Sequence, residues 1–211
     1  MKETWRNTFK LHTQTEEYKN NVLEAKKIIQ ENLSEKCYIA FSGGKDSIVM
    51  THLILMEKPD ILVYHHDLKY IPEEFKCEIK NILEYLGVCN IEIRDGEEDL
   101  WKDIIPSFIE RGYKKVFIGL RREESISRKF RISRNISLSS IQEVYPIQSW
   151  SWLDIWGYIV SNDIPYPSMY DIYAPVVGWD RVRFHTFFDP SMDKFGCSNL
   201  DGFLLYHLRY K

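Results

Sequence analysis

Cysteine is scarce. Cys37, Cys77, Cys89 and Cys197 lie far apart and include no Cys-x-x-Cys pair, so they read as reduced thiols of a cytoplasmic protein. No run of about 18 apolar residues exists, and nothing reads as a membrane span. The opening MKETWRNTFK lacks the apolar core of a secretory signal. Excess charge is also missing: the formal net charge is -3. That argues against a general polyanion binder, leaving only a local basic patch as a route to nucleic acid, for which nothing else speaks. Repeats and low-complexity linkers are absent. So are two familiar phosphate-binding patterns, GxxxxGK[ST] and GxGxxG.

What remains is a chain able to bury a core. Of its 211 residues 44% are hydrophobic, with 13 Tyr, 11 Phe and 6 Trp, which fits one domain or one domain with a small appendage. Apolar residues at Tyr18, Val22, Ala25, Ile28, Ile29 and Leu33 have helical spacing, with Thr15 as the cap. Short apolar runs at 37–41, 60–66, 90–94 and 114–120 read as strands. Between them, 46–56, 72–87 and 99–113 read as helices, the last kinked or split by Pro106. This alternation predicts an α/β fold with a parallel sheet covered on both faces, its ligands at the carboxyl ends of the strands. After Leu120 a polar, basic stretch reads as a mobile arm. A helix then starts at Ser151 or Asp154, with Trp152, Ile155, Trp156 and Ile159 at core spacing. The last forty residues read as an irregular, aromatic-rich cap.

The stretch IAFSGGKDSIVM (39–50) interrupts an apolar run with Ser42, Gly43, Gly44, Lys45, Asp46 and Ser47. Placed between a strand and a helix, two glycines permit a tight turn whose N–H groups face one small anion. The helix N-terminus adds partial positive charge, and Lys45 a full one. Ser47 adds a hydroxyl. Asp46 repels phosphate unless it caps the helix or holds a cation. The competing reading is an ordinary strand–helix turn.

Four ordered blocks carry a resemblance. SGGKDS resembles the pyrophosphate loop of the adenine-nucleotide α-hydrolase superfamily, and VYHHDLKYIPEEF its second strand followed by an aspartate, Asp67. IGLRREESISR and YPIQSWSWLDIWGYIVSNDIPYPSMYD are similar to the phosphoadenosine phosphosulfate (PAPS) reductase family. That family also holds the ATP sulfurylase small subunit and FAD synthetase-like enzymes. The resemblance implies a mainly parallel five-stranded sheet and a division into a helical extension (1–34), a nucleotide-binding domain (35–175) and a C-terminal cap (176–211). It implies an adenine nucleotide bound by Ser42, Gly43, Gly44, Lys45, Asp46, Ser47 and Asp67, with Mg²⁺ held by Asp46.

Arg121 and Arg122 follow the fourth strand, where guanidinium groups clamp phosphate or sulfate oxygens, or form a solvated cluster. Glu123, Glu124 and Ser125 hold them in place. Arg128, Lys129, Arg131 and Arg134 close over a substrate, bind a partner's phosphates or lie in a solvated loop. His65 and His66 divide between core and pocket. Tyr166 and Tyr170 are candidate substrate contacts. Cys197 reads as an inert thiol or as the reductase nucleophile; its surroundings, DKFGCSNLDG, depart from the family's Glu-Cys-Gly-Leu-His. The leading expectation is an enzyme that splits ATP at the α–β bond and activates a second substrate, with Lys45, Arg121 and Arg122 catalytic. The alternatives are a PAPS or adenosine phosphosulfate (APS) reductase using Cys197, and a non-catalytic nucleotide-binding subunit. A homo-oligomer or a partner subunit is compatible with each.

Overall fold

Short apolar runs, the inner ones buried on both faces, set the sheet. In the computed structural model, which describes residues 1–134, 137 and 139–184, five strands form: β1 (Cys37–Phe41), β2 (Leu62–Asp67), β3 (Ile91–Asp95), β4 (Lys115–Ile118) and β5 (Gln142–Val144). Their order is β3-β2-β1-β4-β5, and every neighbouring pair is parallel. Side chains on a strand point to opposite faces in turn. Ile39, Phe41, Val63 and Phe117 therefore join the main core, while Tyr38, Tyr64 and Val116 join a smaller cluster behind the sheet.

Helices α1 (Glu3–His12), α2 (Glu16–Asn32), α3 (Lys45–Glu57) and α4 (Glu73–Tyr85) contribute to the main core. The smaller cluster is closed by α5 (Ile105–Glu110), through Phe108. Beyond it come α6 (Ile126–Ser133), α7 (Trp152–Ser161) and α8 (Met169–Val177). Helix α3 is buried nearly all round, through Ile48, Val49, Met50, Leu53 and Ile54, and packs against β1, α2 and α7. Phe9 of α1 is buried beside Trp156 and Trp179, so the N-terminal helices share the core of the sheet. Thr15 caps α2, accepting from the Tyr18 N–H at 3.2 Å. At the start of α7 Ser151 is the cap, in a capping box with Asp154. Ile155, Trp156 and Ile159 are buried as their spacing predicts, and Trp152 is partly buried.

One expectation holds and one needs correction. The helix expected over 99–113 is split: a π-type turn (Leu100–Ile104) precedes α5, and Pro106 sits in the first turn of α5, where its missing N–H costs nothing. The stretch after Leu120 is not an arm. It forms a short 3-10 turn (Arg122–Glu124), α6 and the fifth strand. Ser125 caps α6, and Arg131 grips the buried Glu143 of β5 with a two-pronged ion pair. Of the C-terminal cap, Trp179, Val182 and Phe184 are buried. Residues 185–211, Cys197 among them, lie outside the described residues. Among the described residues no helix is long and apolar enough to cross a membrane.

Candidate active site

The chain runs outward from β1 in both directions, to β2 on one side and β4 on the other. Such a reversal leaves a crevice at the carboxyl ends of the strands. A cavity of about 520 Å³ lies there. Its floor is the loop after β1, with Ser42, Gly44, Lys45, Asp46 and Ser47. Tyr64 and His66 of β2 form one wall. Gly119 and Leu120 after β4 form another, continued by Glu124 and Arg128. Tyr170, Arg183 and Phe184 close the remaining side.

The loop owes its shape to Gly43 more than to Gly44. Gly43 has φ +78°, and a Cβ there would lie 2.7 Å from Cδ1 of the buried Ile79. Gly44 has an ordinary φ of -78° as the N-cap of α3, and its Cβ would meet nothing nearer than the Tyr170 hydroxyl at 3.5 Å. A third glycine, Gly119, went unnoticed in the sequence. A Cβ on it would approach the Ser47 N at 3.0 Å, so β4 and the first turn of α3 touch backbone to side-chain position. Three of the loop's N–H donors already have acceptors. The Lys45 N–H donates to the Tyr170 hydroxyl at 3.1 Å, the Gly44 N–H to Ser42 Oγ at 3.4 Å, and the Ser42 N–H to Ser47 Oγ at 3.3 Å. These hydroxyl oxygens stand where an anion's oxygens would accept the same bonds.

Charge is concentrated beneath the loop. Lys45 is 1% exposed; its ammonium donates to the Val182 carbonyl at 3.0 Å and lies 3.2 Å from Asp46 Oδ2. Burial lowers its pKa, with Asp46 opposing. Asp46 also pairs with the Arg121 Nε. Burial alone would raise the Asp46 pKa, but Arg121 and Lys45 outweigh it and hold the carboxyl below the ordinary range. Arg121 is 2% exposed and donates further to the Trp150 carbonyl at 3.3 Å and to Glu123 at 3.2 Å. Both cations thus claim the Asp46 carboxylate. Among the described residues no group of three or more His, Cys, Asp or Glu side chains could hold a metal ion. This donor set does not fit the protein-held Mg²⁺ expected at Asp46.

The other candidates divide. Arg121 is a buried pillar under the loop, contrary to the solvated cluster considered for the pair. Arg122 is exposed, donates to Gln148 Oε1 at 2.9 Å and does not line the cavity. Asp67 pairs with Lys76 at 3.0 Å and sits beside the cavity, not on its wall. Arg128 lines it, ion-paired with Glu124, while Lys129 and Arg134 do not. His65 is buried, its Nδ1 donating to the Phe41 carbonyl at 2.9 Å; burial lowers its pKa. Tyr166 donates to Asp171 away from the cavity, whereas Tyr170 is buried in its wall, 5.6 Å from the Lys45 ammonium. The described thiols, Cys37, Cys77 and Cys89, are free and none lines the cavity. Arg183 and Gly119 were missed. Gly119 lies within the IGLRREESISR block but was not singled out there, and Arg183 lies in no motif; folding brings both to the loop.

A five-stranded parallel sheet with the Ser-Gly-Gly-Lys-Asp-Ser loop after its central strand defines the class: adenine-nucleotide α-hydrolase-like α/β proteins with a pyrophosphate loop. Within it, residues 36–181 match the model of the phosphoadenosine phosphosulfate reductase domain, and the chain belongs to that family. An uncharacterized protein of Methanocaldococcus jannaschii, MJ0066, is 29% identical across 83% of this chain, which spans only 40% of that protein. An adenosine 5'-phosphosulfate reductase of Bacillus mycoides is 27% identical, covering 85% of this chain and 86% of the relative. In fold the chain is similar to the FMN adenylyltransferase of Candida glabrata, solved with FMN and the ATP analogue AMPCPP. The TM-score is 0.57 at 14% identity, over 80% of this chain and 67% of that one.

Proposed function

We propose that this family member binds ATP across the strand ends and splits it between the α and β phosphates, activating a second substrate. The observation that supports this most is the Lys45–Asp46 pair at the first turn of α3, on the floor of the cavity. The loop N–H groups and the helix N-terminus would take the phosphates, replacing the Tyr170 and serine hydroxyls as acceptors. An oxygen of the acceptor attacks the α-phosphorus, the bond to the bridging oxygen breaks, and pyrophosphate leaves with that electron pair. Lys45 offsets the charge building on the leaving group, and Arg121 holds Asp46, which in turn orients Lys45. The acceptor class is an oxyanion such as sulfate, or a nucleotide-like molecule. A homo-oligomer or a partner subunit is compatible with this scheme.

A second reading is an APS or PAPS reductase with Cys197 as nucleophile. It is favoured by the Bacillus mycoides relative, which aligns over most of both chains. One experiment separates the two. Pyrophosphate release from ATP and sulfite release from APS with a thiol reductant are measured for the parent, Lys45→Met and Cys197→Ser. The ATP reading expects Lys45→Met to lose roughly 100- to 1,000-fold in turnover, the size of one lost electrostatic donor, with Cys197→Ser near normal. Cys197→Ser inactive beside a nearly normal Lys45→Met overturns it. Tight ATP binding with neither product would leave a nucleotide-binding subunit instead.

A further inference from the structure

Strand β3 is an edge of the sheet, with no strand on its outer side among the described residues. The Val63 N–H of β2 donates to the Asn90 carbonyl at 2.9 Å. In a parallel ladder alternate residues face the same neighbour, so Glu92 and Arg94 also turn their backbone groups toward β2. The N–H and C=O groups of Ile91 and Ile93 therefore point outward from the edge. Such an edge is a template for another strand, and natural sheets commonly cover it, shorten it or charge it.

The side chains of this edge fit a strand of their own sequence. Ile91 and Ile93 lie in register with Val63 and His65, both buried, yet they are 39% and 47% exposed. They carry the apolar face of the core out to the rim. Glu92 and Arg94 stand on the other face, level with Tyr64 and His66. Laid antiparallel about a two-fold axis through Ile93, the stretch Ile-Glu-Ile-Arg-Asp (91–95) sets Glu92 opposite the partner's Arg94, and Arg94 opposite the partner's Glu92. Both pairs fall at non-hydrogen-bonded positions, where facing side chains come closest. Ile93 faces its own copy and each Ile91 lies diagonal to it, so four isoleucines cover one another; Asp95 ends the row in solvent. An axis through Glu92 or Arg94 would instead set like charges face to face. Within one chain Arg94 donates through Nε to Glu92 at 2.8 Å and through Nη1 to Glu98 at 3.1 Å. Its Nη2, which has no partner among the described residues, is left for the facing carboxylate.

We infer that β3 pairs edge to edge with β3 of a second copy of this chain, joining two sheets into one across a two-fold axis. The same patch serves on both copies, as a closed dimer requires. Backbone groups of Ile91 and Ile93 supply the ladder, the isoleucines the apolar contact, and the Glu92–Arg94 pairs the register. Five residues from each chain carry the contact, which is small, so association in roughly the micromolar range is expected.

Sedimentation velocity on the full chain, from about 1 to 300 µM, tests this. The parent should pass from monomer to dimer across that range. Ile93→Lys places two ammonium groups on the axis and should stay monomeric, with the parent's melting temperature because Ile93 is exposed. Ile126→Lys, at an exposed isoleucine of α6, should dimerise as the parent does. Charge reversal gives a second, independent measurement. Glu92→Arg and Arg94→Glu each set like charges opposite one another, and each alone should be monomeric. Mixed in equal amounts they should associate, because every facing pair is then of opposite sign. Damage to the fold of either variant would not be repaired by mixing. A parent that stays monomeric throughout overturns the inference. So does an Ile93→Lys that dimerises like the parent, or a pair of charge variants that remains monomeric when mixed.

Discussion

Asp46 and Asp154 each sit in the first turn of a helix, each largely removed from water, and each fully bonded. Asp154 is 1% exposed and holds His12 at 2.7 Å, Asn21 at 3.1 Å and the Ser151 N–H at 2.7 Å. It staples α1 and α2 onto the start of α7 and does not line the cavity at the strand ends. Asp46 instead holds two cations, Lys45 and Arg121, at the floor of a cavity. A buried carboxylate is therefore no mark of a site. What separates the two is the partner: neutral donors and a histidine fasten helices, whereas paired full charges beside open space keep an electrostatic field ready for a charged ligand.

The largest stability change is expected at Arg121→Ala. It leaves Asp46 short of a buried counter-charge, which should cost about 3–5 kcal/mol. Denaturant unfolding would show it; a loss under 1 kcal/mol would mean the charge cluster beneath the loop is not a buried network. Asp154→Ala comes next, at about 2–3 kcal/mol, because hydrogen bonds to a charged group and a helix cap disappear together. ATP affinity, measured well below the melting temperature, should not move. A fall of more than threefold would mean that the two carboxylates are coupled. Gly43→Ala should cost about 2 kcal/mol, through left-handed backbone strain and crowding against Ile79. Gly44→Ala should change stability by no more than about 0.5 kcal/mol, which inverts if Gly44 is the strained position. The smallest effect belongs to Arg122→Ala, again within about 0.5 kcal/mol. Adjacent arginines thus bracket the range, since one is buried under the loop and the other is exposed.

Local chemistry made much of the fold legible. Short apolar runs announced the first four strands, and Thr15 a helix start. The fifth strand, Gln142–Val144, is only three residues long, too short to show a period, and is held by Arg131 gripping Glu143 across a gap in sequence. Helix α1 carries its buried Phe9 in a polar stretch, so its place in the core became visible only against Trp156 and Trp179. Arg121 and Arg122 looked equivalent because no local pattern distinguishes them. The difference is that the first points toward Asp46 and the second toward Gln148.

The sequence by itself determined the alternation of strand and helix, the glycine-bearing loop after β1, and the nucleotide class that its ordered motifs resemble. These follow from side-chain periodicity and backbone freedom, both properties of near neighbours in the chain. Tertiary structure alone decided which charges are buried, that Tyr170 and Val182 occupy the loop and Lys45, and that Ala40, Tyr64 and His66 line one cavity. Those outcomes depend on contacts between residues far apart in sequence. Burial, desolvation and the pairing of charges arise only when the chain has closed around them.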